Sequence, residues 1–523
     1  MCGIIGLFST SQAVQYIYDG LIVLQHRGQD SSGIMTYDGR FFLKKGNGLV
    51  KDVFKAKHMI MLKGNIGLGH VRYTTAGSAD ASSEAQPFYI NSPYGISLIH
   101  NGNLTNYDEL KHELTQNNAR YLNTGSDTEA LINVLGDEIA KHNTHERSAS
   151  QLDAKQLFTA VKGVMRRVKG SYSVISIIAG HGLLAFRDPH GIRPLVLGKR
   201  ETASGTEYVF ASESVAIDIL DFEFVRDVLP GEAIYIDLKG ELHSMQVAQT
   251  KWAPCIFEFV YIARPDSVID KVSVYKSRLR MGTFLGKKIM KEITRKKMKV
   301  DVVIPVPDTA RSSAFEIAAE LGVPYREGLI KNRYIGRTFI MPGQKLRQKS
   351  VKYKLNVIPL EIKGRNVLLV DDSIVRGNTS RKIVEMVRAA GAKSVYLASC
   401  CPPLKNPCVY GVDMASRKDF IAHNMSHDEI AHAIGVDALF YQTLEDLEKA
   451  VKAGNKDITN FCTACLSGKY PTPEVTEKML DKVESARRAA ELQANLDKSM
   501  VTGSLAEGSE QSGLEIEDQL SML

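Results

Sequence analysis

Two groups of residues in this 523-residue chain have types and spacing suited to chemistry, and they lie far apart in sequence. The first is Cys2, in Met1-Cys2-Gly3-Ile4. A cysteine here is small enough for the initiator methionine to be removed, which leaves a thiol beside its own α-amine. Such an amine, ordinarily titrating at roughly 7.7–8.0, can relay a proton at neutral pH. A thiol near about 8.5 then needs only modest lowering to attack a carbonyl carbon. The second group is the run Val367-Leu368-Leu369-Val370-Asp371-Asp372-Ser373-Ile374-Val375-Arg376-Gly377-Asn378-Thr379-Ser380. It reads as a buried strand tipped by two carboxylates, a loop bearing Gly377 and hydroxyls, and a helix. Backbone N–H groups of such a loop and helix N-terminus cradle a phosphate, with Ser373, Thr379 and Ser380 adding donors. Asp371 and Asp372 stand at the carboxyl end of the strand, where α/β sheets bind ligands. There they can accept from sugar hydroxyls or hold Mg²⁺, which prefers oxygen ligands.

Other segments could complete each group. Gln25-His26-Arg27-Gly28-Gln29-Asp30-Ser31-Ser32-Gly33, Gly69-His70-Val71-Arg72-Tyr73-Thr74-Thr75-Ala76-Gly77, His100-Asn101-Gly102-Asn103 and Ser126-Asp127 each place polar or charged residues beside a predicted strand or helix. Taken singly, each reads as a turn or a cap. Further on, Ile304-Pro305-Val306-Pro307-Asp308-Thr309-Ala310-Arg311 ends a strand with polar groups suited to pyrophosphate and Mg²⁺. Lys331 to Lys354 carries eight Lys or Arg, Arg337 among them, and no Asp or Glu. Broken by Gly and Pro, it reads as a lid ordering over a polyanionic small molecule.

The seven cysteines are Cys2, Cys255, Cys400, Cys401, Cys408, Cys462 and Cys465. An odd, sparse set in a long chain argues against a secreted disulfide scaffold. Cys462-Thr463-Ala464-Cys465 is a C-x-x-C, and with Cys255 and Cys408 it gives four thiols that can close a site for zinc or an iron–sulfur cluster. The alternative is that the four hold no metal.

These residues need rigid elements to position them. In the first half, strands are predicted at Ile4–Phe8, Ile66–Gly69, Ile96–His100, Tyr172–Ile178, Leu183–Arg187, Tyr208–Ser212 and Ala233–Asp237, with helices at Val14–Gln25, Thr128–Lys141 and Leu157–Val168. That is a layered α+β domain. From Val302 onward, continuous apolar strands alternate with helices at Ser313–Leu321 and Arg381–Ala390, which predicts an α/β domain with a parallel sheet covered on both faces. The boundary falls between about Leu242 and Pro254. The tail opens with a charged helix from Glu474 to Leu496 and ends in a Ser-, Gly- and Glu-rich stretch. The net charge of +7 is mild for this length, and no apolar run nears the roughly 20 residues that span a bilayer. The first residues lack a secretory signal pattern. A cytoplasmic protein with neither nucleic acid nor membrane as partner is expected.

The first-half segments MCGI, QHRGQD, GHVRYTTAG, HNGNLTN and SDTEA resemble the glutaminase domain of the class II, N-terminal-nucleophile amidotransferases, an αββα fold, over about residues 2–240. The resemblance implies Cys2 as nucleophile, Arg72 holding the α-carboxylate of glutamine and Asp127 its α-amino group. Asn101 and the N–H of Gly102 would then form the oxyanion hole. The run DDSIVRGNTS resembles the phosphoribosyl pyrophosphate (PRPP) motif of type I phosphoribosyltransferases, over a second domain at 255–470, with 471–523 as a helical tail. Asn378 departs from the usual threonine, although its amide can still bond a phosphate. Candidate PRPP contacts are Asp371, Asp372, Ser373, Gly377, Thr379, Ser380, Lys331 and Arg337, with Thr309, Asp371 and Asp372 toward Mg²⁺.

Together the halves resemble the amidophosphoribosyltransferase family of purine synthesis. This implies that glutamine, PRPP and water give 5-phosphoribosylamine, glutamate and pyrophosphate. It also implies an internal path for ammonia, Mg²⁺, a homotetramer or homodimer and inhibition by purine nucleotides. Some members carry a [4Fe–4S] cluster, whose ligands match Cys255, Cys408, Cys462 and Cys465. Those members usually have a propeptide before the catalytic cysteine, and none precedes Cys2 here. Another class II amidotransferase would need a different second domain. A non-catalytic PRPP sensor would usually carry a DNA-binding domain in place of the first half.

Overall fold

The computed structural model describes residues 1–73, 83–141, 152–249, 251–332, 355–412, 414 and 416–485. In the first half, two mostly antiparallel sheets lie face to face. One has seven strands in the order Glu223–Asp227, Val196–Thr202, Gly205–Ala211, Gly3–Phe8, Ile66–Arg72, Ser31–Tyr37, Phe41–Asn47. The other has six, in the order Leu242–Gln246, Glu232–Asp237, Gly182–Arg187, Gly170–Ile178, Ile96–Leu104, Phe88–Ile90. Because strand side chains alternate faces, Gly3–Phe8 sends Ile5 and Leu7 toward the helices Val14–Val23 and Ser214–Ile219, and Ile4 and Phe8 into the core between the sheets. The second sheet is covered by the helices Asp127–Ala140 and Ala154–Arg167. The result is the four-layered αββα arrangement.

The second half holds a four-stranded parallel sheet in the order Val302–Pro305, Asn366–Asp371, Ser394–Ser399, Ala438–Tyr441. Both faces are buried, which is why these strands are apolar without alternation. Val367 and Leu369 face one core with Ile383, Val384 and Val387 of the helix Asn378–Ala389. Leu368 and Val370 face the other, against the helices Val274–Lys296 and Arg311–Leu321.

The structure differs from the sequence reading in one region near Cys2. The polar run at Ser31-Ser32-Gly33, which reads as a turn, begins the strand Ser31–Tyr37 with both serines buried. Pairing on both sides, to Phe41–Asn47 and Ile66–Arg72, satisfies its backbone and overrides the local turn preference. The strands Val196–Thr202 and Phe41–Asn47 carry no clear alternation and escape the sequence reading for that reason.

Candidate active sites and their relatives

Cys2 is buried where the two sheets of the first half meet. It precedes the strand Gly3–Phe8, and pairing of Gly3 with Val71 sets it beside Arg72 at the end of the neighbouring strand. The Cys2 N–H donates to Asn101 Oδ1 at 3.2 Å, a bond from one sheet to the other. The Asn101 Nδ2 is buried and has no hydrogen-bond partner among the described residues. An orphaned buried donor costs free energy unless a ligand accepts from it, and this one lies beside the thiol-bearing residue. Gly102 follows with φ of +156°, and a β-carbon there would lie 2.0 Å from the Ser171 carbonyl oxygen, so only glycine fits.

Arg72 pairs with Glu84, and its Nη1 has no partner among the described residues. Asp127 opens the helix Asp127–Ala140, and its carboxylate accepts the Leu104 N–H at 3.0 Å. Thus Cys2 before one strand, Arg72 at the end of another, Asn101 and Gly102 within a third and Asp127 at a helix start lie around a single region. His70, on the strand of Arg72, is pushed down to about 3 by burial and then by the Arg72 charge, so it stays a neutral imidazole.

Sequence reasoning missed what lies beneath this region. Arg27 is fully buried and donates through Nε to the Cys2 carbonyl oxygen at 3.1 Å. Two buried carboxylates hold it, Glu213 at 2.5 Å and Glu258 at 2.9 Å. Burial alone would lower the Arg27 pKa, but Glu258 and then Glu213 outweigh it and raise it. Burial alone would raise Glu213, yet Arg27 and then His26 hold it well below the usual carboxylate range. Arg27 stands in the QHRGQD segment, yet its partners lie 186 and 231 residues away, beyond any local pattern.

In the second half, Asp371 ends its strand and is buried, and Asp372 follows. Burial and then the neighbouring Asp372 raise Asp371 well above the carboxylate range. Burial pushes Asp372 up to about 6, although a hydrogen bond from Ser373 and the nearby Arg278 oppose this. Two raised acids side by side fit a divalent cation, which would relieve both burial and repulsion. Gly377 precedes the helix Asn378–Ala389, where Thr379 is exposed and Ser380 buried. The adjacent strand Val302–Pro305 is followed by a turn at Pro307-Asp308-Thr309, and Lys331 approaches Asp308 at 3.6 Å, so this turn and Lys331 meet beside the acid pair's strand. Arg278 is the neighbour outside every segment that sequence reasoning named. Arg337 lies outside the described residues.

The four cysteines converge. Cys255 and Cys462 pair through their backbones, and both share one buried apolar cluster with Cys408 and Cys465. Burial pushes Cys255 up to about 11, and raises Cys462 and Cys465, each further raised by Cys255 and Cys408. The Tyr410 N–H donates to Cys408 Sγ at 3.4 Å. Among the described residues, three potential ligand atoms within 4.8 Å of one another occur only at Asp237, Glu241 and His243. Four buried thiols gathered in one apolar cluster are a donor set that either zinc or an iron–sulfur cluster could use.

Residues 70–218 match the glutamine amidotransferase domain model, and residues 280–438 the phosphoribosyl transferase domain model. The amidophosphoribosyltransferase of Pseudomonas aeruginosa is 53% identical over 94% of this chain and 97% of its own length. That of Escherichia coli K12 is 54% identical over 93% and 96%.

The chain belongs to the amidophosphoribosyltransferase family.

Its fold agrees over nearly the same extent. A structure of the glutamine PRPP amidotransferase from B. subtilis, complexed with ADP and GMP, superimposes with a TM-score of 0.79 at 36% identity, over 91% of this chain and 98% of that one. Within this amidophosphoribosyltransferase fold the segment 408–411 joins the two halves. Asn103 Nδ2 donates to the Val409 carbonyl, and Ser171 Oγ and Arg193 Nε donate to the Tyr410 carbonyl. The segment that carries Cys408 therefore rests on the strands of Asn101 and Ser171.

Proposed function

We propose that this protein takes nitrogen from glutamine at Cys2 and transfers it to PRPP, giving 5-phosphoribosylamine, glutamate and pyrophosphate, the first committed step of de novo purine synthesis. The supporting observation is that a chain over half identical to amidophosphoribosyltransferases along nearly its whole length carries a buried Cys2 beside an orphaned Asn101 amide, and an acid-tipped phosphate loop in its other half.

Once Met1 is removed, the Cys2 sulfur attacks the carboxamide carbon, and the free α-amine carries the thiol proton to the departing ammonia. Asn101 Nδ2 and the Gly102 N–H receive the developing oxyanion. Arg72 binds the glutamine α-carboxylate in a fork geometry and Asp127 its ammonium. Water then hydrolyses the thioester to glutamate. Ammonia moves inside the protein, since release to solvent would convert it to unreactive ammonium. At the second site, Ser373, Gly377, Thr379 and Ser380 hold a phosphate, Asp371 and Asp372 hold the ribose hydroxyls, and Thr309, Lys331 and Arg337 face the pyrophosphate. Thr309, Asp371 and Asp372 would hold Mg²⁺, which would supply charge neutralisation for the leaving pyrophosphate. Cys255, Cys408, Cys462 and Cys465 would hold a [4Fe–4S] cluster, which would act as a structural group.

The glutaminase domain spans 2–240 and the phosphoribosyltransferase domain 255–470, followed by a tail at 471–523 that beyond residue 485 lies outside the described residues. The active form is a homotetramer or homodimer in the cytoplasm. Among the described residues no helix is long and apolar enough to cross a membrane. Purine nucleotides inhibit it; a relative's structure is a complex with ADP and GMP. A coupled assay tests the function: glutamate release should rise when PRPP is added, with stoichiometric pyrophosphate. No pyrophosphate from either glutamine or ammonia would overturn it.

A further inference from the structure

The geometry points to Glu258, a residue of the phosphoribosyltransferase half, as a positioning residue for the glutaminase nucleophile. This inference rests on Cys2 as that nucleophile. Glu258 is buried on the turn Glu258–Ile262, three residues after Cys255. Its two oxygens take both terminal nitrogens of Arg27, Nη2 to Oε1 at 2.9 Å and Nη1 to Oε2 at 3.1 Å. The remaining nitrogen, Nε, reaches the Cys2 carbonyl. A planar guanidinium gripped on two corners has its third direction fixed, so Glu258 sets where Arg27 points.

Cys2 is thereby anchored at both ends of its backbone. Its N–H is held by Asn101 and its C=O by Arg27. If the second anchor loosens, the residue can rotate about the first, which carries the sulfur away from the amide carbon it must attack. Misplacement of reacting groups by about 1 Å costs on the order of 100-fold in rate. Glu213 cannot substitute for Glu258. It contacts Arg27 through Nη1 alone, and it is also engaged by His26, the Ser267 hydroxyl and the Arg264 N–H. Glu258 also takes Arg193 Nη1 at 3.2 Å. The four buried charges, Arg27 and Arg193 against Glu213 and Glu258, therefore balance, as a buried group of ions requires. The nucleophile is oriented by a charge that the other half supplies.

The test compares Glu258→Gln and Glu258→Asp with the unmodified enzyme, assayed with glutamine and, separately, with ammonia. Alkylation of Cys2 by a diazoketone analogue of glutamine is followed by mass. For Glu258→Gln, kcat/KM for glutamine is expected to fall about 10- to 100-fold, mostly in kcat, because Arg72 and Asp127 still bind the amino-acid end. Cys2 alkylation should slow in proportion, and the loss with ammonia should be at least about tenfold smaller. Glu258→Asp keeps the charge and should recover part of the alkylation rate. If Glu258→Gln does not fold, Glu258→Asp carries the test through a glutamine-to-ammonia activity ratio below that of the unmodified enzyme. Equal losses with both nitrogen donors, or an unchanged alkylation rate, would reduce Glu258 to a structural role and overturn the inference. A Cys2→Ala enzyme that still used glutamine would sink the nucleophile assignment instead.

Discussion

The α-carbon of Gly411 packs on the carbonyl of Gly102, so closely that a β-carbon at position 411 would lie 2.6 Å from the Gly102 oxygen. Gly411 has φ of +93°, so a side chain would also strain the backbone by roughly 1–3 kcal/mol. One segment of the phosphoribosyltransferase half thus presses on the strand that bears the proposed oxyanion hole.

Gly411→Ala should therefore displace Gly102 or lift the segment 408–411 from it. Glutamine-dependent activity should fall by about tenfold or more, with a smaller loss when ammonia replaces glutamine. Parallel steady-state assays with the two donors check this, and equal losses would show that the contact serves stability alone.

Cys2→Ala should abolish the use of glutamine while phosphoribosylamine synthesis from concentrated ammonia persists. Intact-mass measurement of the working enzyme should find Met1 absent, because an amide at Cys2 cannot carry the thiol proton. Retention of Met1 in fully active protein would contradict the amine's role.

Both Asp371 and Asp372 are raised, so the ligand-free folded protein holds more protons on this pair than the unfolded chain does. That contribution to stability is present below the ordinary carboxylate range and is lost as pH rises through about 6 for Asp372. Mg²⁺ and PRPP favour the ionised pair, so their binding near pH 6 should release protons and weaken as pH falls. Calorimetry in two buffers of different ionisation enthalpy should show the release as a difference in binding heat. Identical heats would speak against the assignment, as would phosphoribosyl transfer surviving Asp371→Asn with Asp372→Asn.

The four converging thiols predict a brown protein with about four iron atoms per chain after anaerobic purification. Cys462→Ser should reduce the bound iron and lower thermal stability, since the buried thiols would lose the charge that compensates them. Iron analysis with visible absorption checks this, and a colourless, iron-free anaerobic preparation would rule the cluster out.

The sequence by itself determined the two chemistries and the kinds of layer that carry them. A cysteine at position two, the Asn101-Gly102 pair following an apolar run and Asp371-Asp372 at the end of an apolar strand are local patterns, although the ladder carries the first strand on through Asn101 and Gly102 to Leu104. Alternation or its absence follows directly from whether one or both faces of a strand are buried. Only the tertiary structure decided how these sites are held and joined. Arg27 meeting Glu258, Gly411 meeting Gly102 and Cys255 meeting Cys462 unite residues separated by two to three hundred positions. Such contacts depend on how whole sheets and helices pack, which no periodicity along the chain records.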